Sequence, residues 1–208
     1  MNFEHINMRL GVIIFLLVVV QSVTAQYHEF PIGPLYFLGR EYSKEVSLYR
    51  GKKFLMNEVL DVSGEVTQFE IDALTAASSG ELTTLAYQCQ ALDKEGIILG
   101  FYGNYWNEQG VVYQGYAYKN LPKELAVEFL MKISDVIDEY DLYLDKDDDR
   151  NNVCFYFDDF LILIYNDRTD GLARLRVFWN SFDSEWTGAS FERTKRRFER
   201  YFIKKAKS

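Results

Sequence analysis

The sequence predicts an α+β fold in one compact domain: a mainly antiparallel sheet built from a β-meander, a helix, a long hairpin and a C-terminal helix. Three observations carry this prediction. Short apolar runs between polar turns dominate residues 45–119, the apolar period lengthens from about two to about 3.6 after residue 120, and strand patterns return at residues 153–180. With 16% aromatic residues, the 208-residue chain can build a sizeable core.

The first 25 residues are predicted to be a secretory signal peptide rather than part of the fold. Residues 10–20 are uncharged and apolar, Arg9 precedes them, and Val23 and Ala25 occupy the third-last and last positions before a cleavage site. The apolar run is shorter than the roughly 20 residues of a membrane-spanning helix, although an uncleaved anchor is the alternative. We expect a secreted or periplasmic protein whose mature chain begins at Gln26 and whose domain covers residues 26–208.

The predicted meander is clearest at residues 82–92, 97–106 and 111–118. Its two connectors, residues 93–96 and 107–110, open with Asp or Asn and close with Gly, as tight turns do. Upstream of this run, the sequence also predicts hairpin strands. These cover residues 45–50 and 53–60 on either side of Gly51, and residues 65–74.

The segment after Asn120 predicts an amphipathic helix. Apolar residues recur at helical spacing on one face as far as Tyr140, and charged residues occupy the other face. Asn120 is the predicted N-cap, and Pro122 stands in the first turn, where its missing N–H costs nothing. We expect this helix to lay its apolar face across the sheet.

Residues 153–165 predict one central strand, because both alternating faces are apolar apart from Asp158 and Asp159. Adjacent strand residues point to opposite faces, so these aspartates are not expected to act as a facing pair. Residues 172–180 alternate again after a polar turn and complete a long hairpin. Arg174 and Arg176 on this second arm are expected to neutralise one aspartate.

The C-terminal helix, from about Ser190, is strongly basic. Residues 190–208 contain eight Lys or Arg and two Glu, in a chain whose net charge is −8. We expect the aromatic side of this helix to dock on the domain through four residues. They are Phe191, Phe198, Tyr201 and Phe202. Contact of the basic helix with an anionic membrane surface is the alternative and is not favoured. The acidic body repels phosphate backbones, so no nucleic acid partner is expected.

Histidine usage argues against several enzyme classes. The chain has two histidines, and His5 leaves with the predicted signal peptide. A Ser-His-acid triad, a Cys-His pair or a multi-histidine metal site would therefore depend on His28 alone. The sequence has no nucleotide-binding glycine motif, and no cofactor is expected.

An acidic loop after the central helix resembles a calcium loop in its spacing. Asp147, Asp149, Asn151 and Asp158 fall at ligand positions, but Asn stands at the glycine turn and a short Asp replaces the bidentate Glu. A solvated polar loop is the preferred interpretation, and weak calcium binding is the alternative.

The two cysteines allow one disulfide. Cys89 and Cys154 both lie in apolar, strand-like runs, and export would expose them to an oxidising compartment. Two separate buried thiols are the alternative interpretation, and it is the favoured one.

Aromatic residues in the meander suggest a binding surface. Tyr102 shares a strand face with Trp106, and Tyr116 shares one with Tyr118. Such a platform stacks on sugars or packs against another protein. The alternative, which is favoured, is that both faces of the sheet are covered, one by the two helices and the other by the N-terminal segment 27–42. We therefore expect an exported, non-catalytic binding or structural domain for a protein or glycan. The alternative is a carboxylate-dependent hydrolase acting on an envelope or extracellular polymer, which needs two carboxylates flanking its substrate.

Overall fold

Two consecutive antiparallel meanders, each preceded by a helix, form the body of the computed structural model, and a third helix follows them. The structure describes residues 44–62, 64, 66–75, 81–106, 112–146, 150–167, 169 and 172–205, so the predicted signal peptide and the expected start at Gln26 lie outside the described residues. The first half comprises α1 (Lys44–Phe54), a π-helical turn (Leu55–Val59), β1 (Glu70–Thr75), β2 (Thr83–Cys89), β3 (Lys94–Trp106) and β4 (Val112–Pro122). The second half comprises α2 (Lys123–Leu144), β5 (Asn152–Phe157), β6 (Phe160–Asn166), β7 (Ala173–Trp179), β8 (Phe182–Thr187) and α3 (Gly188–Lys205). The α+β prediction is confirmed.

The long strand β3 joins the two meanders. The strand order is β1-β2-β3-β8-β7-β6-β5, and β4 also pairs with β3. The first half of β3, from Lys94 to Gly100, pairs with β2, whereas Tyr105 in its second half pairs with Phe182 of β8. β3 therefore joins the two four-stranded meanders into one eight-stranded sheet.

Helices cover both faces of the first meander because its strands alternate between two apolar clusters. On one face, Ile97 and Leu99 of β3 belong to the larger cluster, which also contains the apolar side of α2. On the other face, Leu85 and Ile98 pack with Leu55 of the π-helical turn. In the second meander, the buried residues face the larger cluster alone.

The C-terminal helix docks through its aromatic side, as predicted. Phe191 and Phe198 are buried, and Tyr201 and Phe202 pack partly buried against the larger cluster. Phe191 meets Trp186 edge to face, with ring centroids 5.1 Å apart. The apolar side of α3 is thus part of the core, in line with the expected docking.

A buried trio of threonines ties α3 to the edge of the first meander. The hydroxyl of Thr84 lies 2.8 Å from that of Thr75 and 2.9 Å from that of Thr194 on α3. The backbone N–H of Thr75 also donates to the Thr84 hydroxyl at 3.1 Å. Beside the trio, the Arg197 guanidinium donates to the carbonyl of Leu74 at 2.8 Å. These contacts position α3 by hydrogen bonds as well as by apolar burial.

The predicted strands at residues 45–50 and 53–60 are wrong, because this segment forms α1 and the π-helical turn. Leu48, Leu55 and Val59 recur at helical spacing and pack against the first meander. Gly51 is buried within α1, where an added Cβ would clash with the Leu85 side chain. This glycine permits close approach of helix and sheet and does not mark a turn.

Residues 153–165 form two strands rather than the single central strand that the sequence predicts. Asp158 and Asp159 are the two-residue turn between β5 and β6, and Phe157 pairs with Phe160 across it. Asp158 adopts φ 51°, a left-handed conformation that aspartate tolerates in tight turns. The predicted long hairpin is therefore a second four-stranded meander.

Two local turn assignments also differ from the prediction. Asn120 is not the N-cap of α2: it lies in β4, and Pro122 takes the N-cap position without a side-chain hydrogen bond. Between β2 and β3, Asp93 supplies the left-handed residue at φ 50°. Gly96 lies inside β3, where an added Cβ would lie 2.2 Å from the Leu121 carbonyl oxygen.

Candidate binding surfaces

Helix α1 covers the predicted aromatic platform. Tyr102 is 1% exposed and stacks on Tyr116, with ring centroids 4.6 Å apart. The Arg50 guanidinium of α1 lies 3.8 Å from the Tyr116 ring centroid, and Phe54 stacks on Tyr118 at 5.5 Å. These rings pack inside the domain, as in the alternative in which both faces of the sheet are covered.

Trp106, the remaining member of the platform, is the last residue of β3. Its side chain lies outside the described residues, and so do Asp147 and Asp149 of the acidic loop. Asn151 of that loop donates from its side-chain amide to the Tyr143 carbonyl at 2.6 Å, which links the residue before β5 to the end of α2. Among the described residues, no cluster of three metal-ligating side chains is found.

Asp158 and Asp159 belong to a polar cluster at one end of the second meander. The Lys119 ammonium of β4 lies 3.4 Å from Asp158 and 2.8 Å from Asp159, and the Trp179 indole N–H donates to Asp159 at 2.8 Å. Burial alone would raise the pKa of Asp159, but the hydrogen bonds from Lys119 and Trp179 outweigh it and lower that pKa. The turn thus brings together two aspartates that the sequence places on opposite strand faces.

The predicted arginine partners of these aspartates are wrong. Arg176 pairs with Asp183 on β8, and Arg174 lies 3.2 Å from Asp167 and 3.8 Å from Glu185. Both arginines lie within the second meander, away from the turn that joins β5 to β6. The partner cation of that turn is Lys119, which is distant in sequence and reaches it only through the tertiary fold.

The side of the second meander that faces away from the larger cluster forms the outer face. Its side chains alternate with those that pack in or against the larger cluster, and they are exposed or half-buried. They are Cys154 and Tyr156 on β5, Leu161, Leu163 and Tyr165 on β6, Arg174, Arg176 and Phe178 on β7, and Asp183, Glu185 and Thr187 on β8. Aromatic and aliphatic groups on β5 and β6 therefore border ion pairs on β7 and β8. Within the part of the chain that the structure describes, no helix belongs to this side.

A cleft of about 410 Å³ lies between the π-helical turn, the start of β3 and the start of α2. Its lining includes the carboxylates of Glu58, Glu95 and Glu124, the Lys94 ammonium and the Tyr87 ring. The Lys94 and Glu95 side chains already have partners within the fold. Lys94 donates to the Val59 carbonyl, and Glu95 pairs with Lys123 and accepts a hydrogen bond from Gln88. This cleft depends on α1 and its π-helical turn, and for that reason it could not be predicted from the sequence.

Tyr87 has the best-defined chemistry in the cleft. It is 1% exposed, and its hydroxyl donates to the Asn120 side-chain oxygen at 2.8 Å. Burial raises the pKa of Tyr87 to about 12 from 10.0, because the interior disfavours the tyrosinate form. The hydroxyl is therefore a neutral hydrogen-bond donor at physiological pH.

This shift predicts how stability depends on alkaline pH. The pKa of Tyr87 is higher in the folded protein than in the unfolded chain. The contribution of neutral Tyr87 to the free energy of unfolding is therefore complete below pH 10.0 and is lost as the pH rises towards about 12. We expect Tyr87→Phe to flatten the fall in the free energy of unfolding across this window. Urea denaturation from pH 9 upwards measures the effect, with Tyr49→Phe on the exposed surface of α1 as the control. Equal slopes for the native protein and Tyr87→Phe would contradict the prediction.

Both cysteines are free, so the structure does not contain the disulfide that the sequence allowed. Cys89 is buried on β2, where its thiol lies 3.4 Å from the Gln68 carbonyl, whereas Cys154 is exposed on β5. Four strands separate β2 from β5 in the strand order. A strand spacing of about 4.8 Å puts such positions far beyond the reach of a disulfide in an extended sheet.

The fold and these surfaces define an α+β protein with helices on both sides of its first meander and an outer face on its second. Compared with family models, with curated proteins and with solved structures, the chain matches none. No helix in the described ranges is long and apolar enough to cross a membrane. The function is therefore inferred from these surfaces.

Proposed function

We propose that this protein is an exported, non-catalytic binding domain that holds a protein or glycan on its outer face. The observation that supports it is the combination of accessible apolar and charged groups on that face. Tyr156 is 76% exposed, and the neighbouring strand contributes Leu161 and Leu163. Tyrosines that expose an apolar ring with a polar tip are typical of interface residues. Export to a secreted or periplasmic location rests on the predicted signal peptide.

A protein ligand is favoured over a glycan by the chemistry of this face. The apolar groups on β6 stand beside fixed charges, since Arg176 pairs with Asp183 and Arg174 with Glu185. A mixture of apolar contacts and fixed charges suits a protein surface, where charge complementarity selects the partner. A glycan would depend mainly on aromatic stacking, and the predicted platform around Tyr102 is covered.

The electrostatics of Asp159 and Asp167 favour binding over catalysis at these two positions. A general acid at neutral pH needs a raised pKa, but the pKa of Asp159 is lowered by Lys119 and Trp179 once burial is overcome. The pKa of Asp167 is lowered as well, chiefly by hydrogen bonds from Thr169. These groups are anions with structural partners, as expected for a binding domain.

The cleft supports one alternative, the carboxylate-dependent hydrolase. Glu58 and Glu124 line a cavity that also holds Tyr87, and two carboxylates in a concave site are what hydrolysis of a polymer requires. Glu95 is less suited to this role because Lys123 and Gln88 hold its two oxygens. This function therefore stands second.

Binding of the purified protein to glycan arrays and to isolated envelope proteins tests both proposals. We expect a protein ligand whose affinity falls at least about tenfold in Phe178→Ser, a change of about 1.4 kcal/mol. Tyr49→Ser is the matched control, because Tyr49 is an exposed aromatic on α1, outside the outer face. Thermal unfolding verifies that both variants fold.

Three outcomes would contradict the binding proposal. The first is a ligand that binds Phe178→Ser as tightly as the native protein. The second is cleavage of the ligand by the native protein that is lost in Glu58→Gln and in Glu124→Gln, which would establish the hydrolase. The third is the absence of any ligand in both screens. Intact-mass measurement tests cleavage separately: the chain recovered outside the cytoplasm should begin at Gln26, and one that still carries residues 1–25 would overturn the prediction of a cleaved, soluble exported protein.

A further inference from the structure

Strand β5 lies at the end of the strand order, and in the described part of the chain it pairs with β6 alone. Its six residues, Asn-Val-Cys-Phe-Tyr-Phe, include no charge and no proline. Natural proteins usually protect such edges with lysine, proline or a bulge, because an open edge pairs with other strands. Cys154 and Tyr156 are exposed along this edge. β5 is thus an accessible edge without the usual protection.

The hairpin geometry determines which backbone groups of β5 face outwards. Phe157 and Phe160 flank a two-residue turn and form the hydrogen-bonded pair that closes it. Hydrogen-bonded positions alternate along an antiparallel ladder, so Phe155 and Val153 also bond towards β6. The N–H and C=O groups of the intervening residues, centred on Cys154, point to the open edge.

We propose that β5 pairs antiparallel with β5 of a second copy of this chain, which goes beyond the proposed function. Residues that share an outward orientation must face each other in such a pair. The register that uses all the outward positions places Cys154 opposite its own copy and Tyr156 opposite Asn152. A two-fold axis then passes between the two cysteines, and the interface is isologous.

The charges that flank β5 favour a second copy over an unrelated strand. In this register, Arg150 before β5 lies opposite Asp158 after β5 of the other copy, in a turn whose two aspartates share Lys119. The two-fold axis repeats this arrangement, so opposite charges meet at both ends of the paired strands. The strand itself is uncharged, and the like charges of two acidic chains do not meet along it. By contrast, β1, which lies at the opposite end of the strand order, carries Glu70 and Asp72.

Sedimentation velocity over a range of protein concentrations, without any ligand, tests this dimer. We expect a monomer–dimer equilibrium that Cys154→Lys weakens at least about tenfold, because it places two like charges directly opposite each other. Tyr49→Lys, which adds the same charge at an exposed site on α1, is expected to leave the equilibrium unchanged.

Thiol cross-linking of the native protein gives a second measurement that needs no substitution. A short bismaleimide should join two chains through Cys154, whereas Cys89 is 1% exposed and should remain unmodified. Peptide mapping identifies the linked cysteine. A monomer at every concentration, a dimer that Cys154→Lys leaves intact, or cross-linking that does not involve Cys154 would overturn the proposal. Because no ligand is present, these outcomes are independent of the binding test.

Discussion

Replacing Phe129 with alanine is expected to lower the free energy of unfolding by about 3–5 kcal/mol. Phe129 of α2 is 0% exposed and packs against three strands of the second meander. Its ring centroid lies 5.2 Å from that of Phe157, 5.3 Å from that of Phe160 and 6.2 Å from that of Trp186. The substitution would remove these contacts and leave a cavity that such an aromatic cluster cannot readily fill.

Guanidinium denaturation followed by circular dichroism measures this loss. Met131→Ala is the matched control, because Met131 lies two residues away on α2 and is 58% exposed. The control should change stability by no more than about 0.5 kcal/mol. Equal losses for the two variants would show that Phe129 does not lie in the core.

Replacing Thr84 with valine is expected to cost about 1–3 kcal/mol, although valine has nearly the same shape. The Thr84 hydroxyl accepts from the Thr75 backbone N–H and lies within hydrogen-bond distance of the Thr75 and Thr194 hydroxyls. All three threonines are buried. Valine leaves the N–H of Thr75 without this acceptor in an apolar environment, and the penalty is that of an unmade hydrogen bond.

The loss of stability in Thr84→Val should be concentrated in α3. Amide hydrogen exchange should accelerate around Thr194 more than in α2, because the trio joins α3 to β1 and β2. Thr169→Val is the control, since Thr169 makes its hydrogen bonds in an exposed turn. Uniform exchange across α2 and α3, or unchanged stability in Thr84→Val, would contradict this role of the trio.

Elements with a long and regular pattern could be predicted from the sequence. Helix α2 has its apolar residues on one face throughout, and the first meander has polar turns between well-separated strands. Helix α1 was missed because aromatic and β-branched residues around a glycine also suit a hairpin. The helical spacing of Leu48, Leu55 and Val59 was the available signal.

The second meander shows how a local turn can be missed in an apolar segment. Asp158 and Asp159 in the sequence suit an interruption of one strand, but two adjacent aspartates between alternating apolar runs also match a two-residue turn. Their partner could not be predicted in the same way, since Lys119 is 39 residues before Asp158 in the sequence. The cleft is harder still to predict from the sequence, because its lining depends on the position of α1.

The shared strand β3 has a consequence for the cooperativity of unfolding. The first half of β3 pairs with β2, and its second half reaches β8. On its other side, β3 pairs with β4 from Gly96 to Trp106. Neither meander can detach without breaking hydrogen bonds in the same strand. Local opening in one half therefore withdraws support from the other, and the region from α1 to α3 should melt in a single transition rather than as two successive halves.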